Sequence, residues 1–265
     1  MPQIIFPEET ARDDELGGKG RALAALTRAG LPVPPWCAVS SRAATLSPPE
    51  IAGALARFPA GTRFAVRSSA SDEDGAQFSF AGQLESYLFV PAADVPRRAE
   101  VVRQSACSPR LRAYRREHGL EAPPRMPAVI LQQMVDADAA GVAFSADPVS
   151  GRRGVAVVSA VYGLGAALVS GECDADTCRV DRDGCIIARQ IADKRLAHRA
   201  APGSPEGVCR EPVPAAQAQA PVLTDAQVCA VAELARRAER HFGRPQDIEW
   251  ALADGQLYLL QSRPI

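Results

Sequence analysis

Apolar residues recur at helical spacing from Gly17 to about Ala29, where Ala22, Leu23, Ala25, Leu26 and Ala29 form one stripe. Gly17-Gly18 opens that segment, and Gly30 suits the position just past a helix end. Leu31 to Pro35 is proline-rich and extended and leads into a short strand, Trp36 to Ser40. Pro48 to Phe58 reads as a helix. Arg63 to Ser69 alternates as a strand does: Phe64 and Val66 point one way, Arg63, Ala65 and Arg67 the other. Ser71 to Gln83, rich in Gly, Ser and Asp, is expected to be a loop. Leu84 to Val90 is a further strand, and Val95 to His118 a helical region with several Arg on its polar side.

Strand signals dominate the second half. Ala128 to Val135, Gly141 to Phe144 and Val155 to Ala160 are β-rich runs of strand length. Gly163 to Gly171 is bounded by glycines and suits a helix start. Arg179 to Gln190 reads as a hairpin turning at Arg182-Asp183-Gly184. Ala200 to Pro221, dense in Pro, Ala, Gly and Gln, reads as a long loop. Thr224 and Gln227 form a capping box. Val228, Val231, Leu234, Ala235 and Ala238 give the helix behind it a core face that runs to Gly243. Asp247 to Leu252 and Leu257 to Arg263 are the last two strands. No internal repeat is visible, and the mixture is α+β with mostly antiparallel sheets rather than a regular βαβ series.

Composition narrows the class. The chain has 265 residues, 47% of them apolar and 23% charged, enough for one large domain or two lobes. A net charge of −1 provides no basic field for nucleic acid or an anionic membrane, so phosphate must be held by a few placed residues. No apolar run approaches the roughly 20 residues that span a bilayer, and Met1 to Thr10 lacks a basic segment ahead of an apolar one. The seven cysteines (Cys37, Cys107, Cys173, Cys178, Cys185, Cys209 and Cys229) are odd in number, and none forms a CxxC. They read as free thiols in a reducing cytoplasm. Cys173, Cys178 and Cys185 match no common zinc spacing.

Candidate phosphate ligands come next. Gly17-Gly18-Lys19-Gly20 places a Lys among glycines at a helix start, where outward N–H groups and the helix dipole favour an anion. The GxxxxGK[ST] spacing is absent, and a surface Lys at a capped helix start has the same local sequence. Arg67 ends a strand that runs into a Ser/Gly loop, which suits its planar fork for phosphate oxygens. An ion pair with Asp72, Glu73 or Asp74 suits it equally. The loop Asp74 to Gln83 has two glycines and small residues around Phe78 and Phe80, as a lid over a nucleotide would, or as a long hairpin loop would.

The C-terminal hairpin makes a sharper expectation. Asp247 and Glu249 share one strand face; Gln261 and Arg263 share a face of the returning strand. A two-residue turn, Asp254-Gly255, pairs Ala253 with Gln256 and places Glu249 opposite Leu260, with Gln261 facing away. A three-residue loop, Ala253-Asp254-Gly255, pairs Leu252 with Gln256 and makes the oxygen ligands converge. Converging carboxylate and amide oxygens beside Arg263 suit Mg²⁺ bridging phosphates, so the three-residue loop is expected. A solvated polar face on an edge hairpin has the same residues.

Several segments together resemble a known family. They are Leu16-Gly-Gly-Lys-Gly, Ala65-Val-Arg-Ser-Ser-Ala-Ser-Asp-Glu-Asp, Ser79-Phe-Ala-Gly-Gln, Leu131-Gln-Gln-Met-Val, Gly141-Val-Ala-Phe-Ser-Ala-Asp-Pro-Val-Ser-Gly, Tyr162-Gly-Leu-Gly, Asp247-Ile-Glu-Trp-Ala and Gln261-Ser-Arg-Pro-Ile. The set resembles, in order and over nearly the whole chain, the ATP-grasp domain that opens phosphoenolpyruvate synthase and is shared by pyruvate phosphate dikinase and the rifampin phosphotransferases. The resemblance implies an α+β ATP-grasp fold of two lobes clamping a nucleotide, 1–125 carrying the phosphate-binding residues and 126–265 the adenine strand and metal hairpin. It implies ATP and Mg²⁺. Lys19 and Arg67 match the phosphate-binding pair, Gly82 and Gln83 the phosphate loop, and Gln132, Met134 and Val135 the adenine-lining segment. Glu249 and Gln261 match the Mg²⁺ ligands, and Arg263 the Arg beside them; Lys19, Arg67 and Arg263 are the catalytic set.

Two departures shape the functional expectation. The family usually continues Gly-Leu-Gly with Glu, which the resemblance implies helps hold the nucleotide at the ribose, where this chain has Ala166; Glu172, six residues on, is the candidate substitute. Full-length relatives also carry a swivelling domain with a phosphorylatable His, and most add a substrate domain. The histidines here (His118, His198 and His241) sit in no such motif and read as surface residues. The resemblance therefore implies a cytoplasmic dikinase-type subunit that passes phosphoryl groups from MgATP to a histidine on a separate protein, releasing AMP and phosphate. That partner would carry the small-molecule site, and neither nucleic acid nor membrane is expected. A regulatory nucleotide-binding subunit and a self-sufficient ATP-grasp kinase or ligase are the rival readings.

Overall fold

A computed structural model describes residues 4–9, 13–70, 85–108, 126–169, 171–201, 204 and 207–265. The chain divides into two compact units, 1–28, 35–134 and 205–207 in one, 29–34, 135–204 and 208–265 in the other.

In chain order the first unit contains β1 (Ile4–Ile5), α1 (Asp13–Arg28), β2 (Trp36–Val39), α2 (Pro48–Leu55), β3 (Arg63–Ser69), β4 (Ser86–Pro91), α3 (Val95–Ser105) and β5 (Ala128–Gln133). Its sheet has the order β1-β2-β5-β3-β4, with every neighbouring pair antiparallel. Alternation decides the faces. Phe64, Val66, Cys37, Val39, Val129 and Leu131 are turned into one buried cluster with Ile51 and Leu55 of α2 and Val95, Ala99 and Val102 of α3. Burying each large side chain of this kind contributes about 1.5–3 kcal/mol. The opposite face carries Ala65, Arg67, Ile130, Gln132 and Trp36, which lie opposite one another in the ladders. Helix α1 covers that side: Trp36 Nε1 donates to Thr27 Oγ1 at 3.1 Å, and Leu23 and Leu26 are buried.

The second unit contains β6 (Ala139–Phe144), β7 (Ala156–Tyr162), the single turn α4 (Ala166–Val169), β8 (Asp176–Val180), β9 (Ile186–Gln190), β10 (Leu196–Ala200), β11 (Val208–Pro212), the short α5 (Ala215–Ala218), α6 (Asp225–Phe242), β12 (Gln246–Ala253) and β13 (Gln256–Pro264). Six strands form an antiparallel sheet in the order β13-β12-β6-β7-β8-β9, and β10 and β11 pair separately. The capping box is present at Thr224: its Oγ1 accepts from Gln227 N, and its own N–H donates to Gln227 Oε1 at 2.9 Å. Gly243, at φ 68°, ends the helix in the left-handed region. The stripe Val228, Val231, Leu234, Ala235 and Ala238 is buried against the sheet face that carries Ile248 and Trp250. Glu249, Gln261 and Arg263 stand on the other face.

Two expectations are corrected. Ala200 to Pro221 is not one long loop; it holds β11 and α5, and β11 is paired residue for residue with β10. The two strands are near in sequence, and the proline-rich composition conceals their pairing. His198 is buried, 6% exposed, not at the surface, because its strand lies under the Gly163 turn: Leu164 N donates to His198 O at 2.9 Å. His241 is exposed, and His118 lies outside the described residues. The seven cysteines are free thiols.

Candidate functional site

The C-terminal hairpin brings Glu249 and Gln261 to one face, and it does so by a route the turn alone does not predict. Ala253 pairs with Gln256, so the connection is the two-residue turn Asp254-Gly255, not the three-residue loop. Asp254 and Gly255 have φ of 50° and 75°, the doubly left-handed pair that suits a twisted hairpin. Continued regularly, that register would set Glu249 opposite Leu260. The ladder instead shifts between Glu249 and Trp250: Trp250 pairs with Leu259, and Glu249 pairs with Gln261. Leu260 is the extra residue of a β-bulge. Glu249 and Gln261 therefore share a face, as do Asp247 and Arg263, which are also directly opposed. Beyond the bulge the register is pinned by Gln246: Ser262 Oγ donates to its Oε1 at 2.8 Å, and its N–H donates to Ser145 Oγ at 2.9 Å.

On this face Gln261 is 8% exposed and Asp247 7% exposed. Arg263 Nε donates to Asp247 Oδ2 at 2.7 Å. Burial pushes the Asp247 carboxyl up from its ordinary value, and Arg263 works against that shift. Val142 and Phe144 of β6 and Ser159 of β7 continue the face beside Glu249 and Asp247. A carboxylate and an amide oxygen are hard donors, and Mg²⁺ is commonly held by one or two such groups with phosphates and water completing its shell. The donor set fits that ion. Among the described residues no three His, Cys, Asp or Glu form a metal-holding group, and Cys173, Cys178 and Cys185 are no exception.

In the first unit Gly17, two residues before Lys19, serves a packing purpose. Gly17 has φ 67° and ψ −176°, a conformation open to glycine almost alone, and a Cβ there would lie 2.1 Å from Ser69 O. Gly18 N donates to Ala70 O at 3.0 Å, Gly20 N to Ser69 Oγ at 3.0 Å, and Ser69 Oγ to Leu16 O at 2.6 Å. Two of the N–H groups at this helix start are thus already used, which corrects the expectation of an open backbone cradle. The same bonds fasten the Lys19 segment to the end of β3, two residues beyond Arg67.

Gln132 lies on the face of Arg67, opposite Ala65 and Trp36. It is 3% exposed, and its Nε2 has no hydrogen-bond partner among the described residues. A buried amide left this way costs about 1–3 kcal/mol, which a ligand acceptor would relieve. Met134 follows β5, its N–H donating to Arg63 O at 2.8 Å. Gly82 and Gln83 lie outside the described residues, as do Asp72, Glu73 and Asp74. Lys19, Arg67, Gln132 and Met134 belong to the first unit; Val135, Glu249, Gln261 and Arg263 belong to the second.

Residues 50–265 match the family model described as pyruvate phosphate dikinase, AMP/ATP-binding domain. The chain belongs to that family. The α+β ATP-grasp class expected from sequence stands on this match. A rifampicin phosphotransferase of Streptomyces sviceus is 46% identical over 82% of this chain and 25% of its own length. A prodigiosin-synthesizing transferase of Serratia marcescens is 36% identical over 97% of this chain and 32% of its own. A probable phosphoenolpyruvate synthase of Methanothermobacter thermautotrophicus is 31% identical over 99% of this chain and 46% of its own. The chain thus spans between a quarter and a half of the length of these relatives. Among solved structures, an N5-carboxyaminoimidazole synthase from Aspergillus clavatus in complex with ADP has a TM-score of 0.45 at 12% identity, covering 94% of this chain and 44% of that one.

Sequence reasoning missed two polar clusters of the second unit. Glu172, six residues after Ala166, has its carboxylate 2.7 Å from Arg210 and 3.4 Å from His198. Those two lie opposite each other on β11 and β10, so only the β10–β11 pairing reveals the cluster. Asp176 is buried with Lys194, whose Nζ donates to it at 2.5 Å, and Asp176 also accepts from Ala192 N and Val222 N.

Proposed function

We propose that this chain is a MgATP-binding phosphotransferase module, dikinase-like, that delivers phosphoryl groups to a histidine on a separate swivelling domain or partner protein. The observation that carries the reading is the bulged register that sets Glu249 against Gln261 with Arg263 alongside. In the reaction, a nitrogen of the acceptor histidine attacks the β-phosphorus of ATP. The bond from that phosphorus to the α,β-bridging oxygen breaks, and AMP leaves with the electron pair. Water then cleaves the pyrophosphoryl-histidine to phosphate and phosphohistidine, which passes its phosphoryl group to a small molecule bound by the partner.

Little covalent chemistry falls to this chain; its work is positioning and charge neutralisation. Lys19 and Arg67 would hold phosphate oxygens, Arg263 would stabilise charge as it moves toward the leaving group, and Gln132, Met134 and Val135 would line the base. Mg²⁺, held through Glu249 and Gln261, would supply a charge that screens the phosphates from one another. The test combines the chain, MgATP and the histidine domain of a rifampicin phosphotransferase. AMP, phosphate and a phosphohistidine are expected only when all three are present, and none with Arg67→Ala. Substrate-dependent ADP formation by the chain alone would refute the partner-dependent reading.

A regulatory nucleotide-binding subunit is the second reading. Ala166 favours it, together with the engagement of Glu172 by Arg210 and His198, which leaves that carboxylate committed elsewhere. Tight MgATP binding without turnover beside any histidine domain would support it.

A further inference from the structure

Arg263 stands on an edge strand with its side chain 51% exposed. A side chain of that length at such a position has many rotamers open to it, and fixing one costs about 2 kcal/mol of rotamer entropy. Its Nε nevertheless donates to Asp247 Oδ2 at 2.7 Å. Asp247 lies on the inner strand β12, 7% exposed and flanked by Phe144 of β6. The two meet because of the bulge. Had the ladder run on regularly from the Asp254-Gly255 turn, Asp247 would oppose Ser262, and Arg263 would turn to the face covered by α6. One extra residue at Leu260 thus sets two pairs at once, Glu249 with Gln261 and Asp247 with Arg263.

A carboxylate buried this far contributes little to stability through its ion pair, because desolvation offsets the attraction. What the pair does provide is geometry. The guanidinium is planar, so a bond to Nε fixes the plane in which both Nη groups lie. We propose that Asp247 is a positioning residue, holding the Arg263 guanidinium in the orientation that meets the terminal phosphates of the nucleotide, two ladder positions from Glu249 and Gln261. The proposal rests on the MgATP reading above. It assigns Asp247 no contact with nucleotide or metal; its action runs through Arg263.

The test measures dissociation constants of the whole chain for MgATP and for adenosine in four forms: wild type, Asp247→Ala, Arg263→Ala and the double variant. Asp247→Ala is expected to weaken MgATP about tenfold or more and adenosine by less than about twofold. In the Arg263→Ala background it should change MgATP affinity by less than about twofold, because its effect is already lost. Equal losses for adenosine and MgATP would assign Asp247 a purely structural role. A full multiplicative loss in the double variant would mean that Asp247 acts on the ligand directly. Either result overturns the proposal, as does wild-type affinity in Asp247→Ala. Should Asp247→Ala fail to fold, Asp247→Asn keeps the shape and one acceptor, and the same selective loss is expected at smaller size. A wild-type chain that binds no MgATP overturns the nucleotide reading itself, which separates that failure from failure of the positioning role.

Discussion

Glu249 and Gln261 face each other across β12 and β13 although the turn joining those strands would, by itself, offset them by one residue. Leu260 absorbs the offset. Deleting Leu260 leaves Gln261 directly after Leu259 and opposite Glu249 in a regular ladder. Magnesium-dependent ATP affinity, measured by calorimetry with and without the metal, is therefore expected to survive that deletion. Glu249→Ala should lower it about tenfold or more and leave metal-free ATP binding little changed. A folded Leu260 deletion without magnesium dependence would mean that the shared face is not what holds the ion.

Gly17→Ala tests the fastening of Lys19 to the strand that carries Arg67. The new Cβ would meet Ser69 O at 2.1 Å in a backbone conformation that side chains avoid. At least about 2 kcal/mol of stability should be lost, a fall in Tm of roughly 4–8 °C for a chain of this size. ATP affinity should fall further than in a variant of equal Tm made in the α2–α3 cluster, for instance Ile51→Ala. Equal affinities in the two would sink the link between Gly17 and the phosphate residues.

The Asp176–Lys194 pair is a buried charge pair of the second unit, with side chains 5% and 1% exposed. Asp176 also accepts from Ala192 N at 2.9 Å and Val222 N at 2.8 Å, tying β8 to the segments ahead of β10 and α6. Asp176→Ala strands the Lys194 ammonium and two N–H groups and is expected to cost about 3–5 kcal/mol. Lys194→Met leaves Asp176 its two backbone donors and should cost less. Urea midpoints of the two variants check the order; a larger loss in Lys194→Met would reverse the argument.

Acid stability should depend on Asp147. Val149 N and Ser150 Oγ donate to its carboxylate at 3.0 and 2.8 Å, and with Arg179 nearby they hold it below the usual carboxylate range. A lowered pKa in the folded state contributes stability above the unfolded value, about pH 4, and loses it as pH falls through the folded value. Asp147→Asn keeps the acceptor for the turn and removes the titration. Its unfolding midpoint is expected to fall less steeply than wild type between pH 4 and pH 2; parallel curves would show that Asp147 does not supply the acid limb.

Local pattern was sufficient where the deciding interaction is local. Thr224 and Gln227 cap each other three residues apart, so the start of α6 is written in adjacent sequence. Period-two alternation by itself sets Phe64 and Val66 on the face opposite Arg67, because a strand turns successive side chains to opposite faces. The same rule put Asp247 with Glu249 and Gln261 with Arg263. It could not say whether the two pairs face the same way, since a bulge leaves no residue signature in a run such as Leu257-Tyr258-Leu259-Leu260. That choice was made by the tertiary structure, where the Ser145–Gln246–Ser262 bonds hold one end of the ladder and the Asp254-Gly255 turn holds the other. The spacing between those two fixed ends leaves one residue over, and its expulsion at Leu260 brings Glu249 and Gln261 to one face. The residue types at these positions were thus determined by the sequence; that Glu249 and Gln261 share a face was decided by strand pairing and by the bonds of Gln246 to Ser145 and Ser262, contacts between segments that no local window contains.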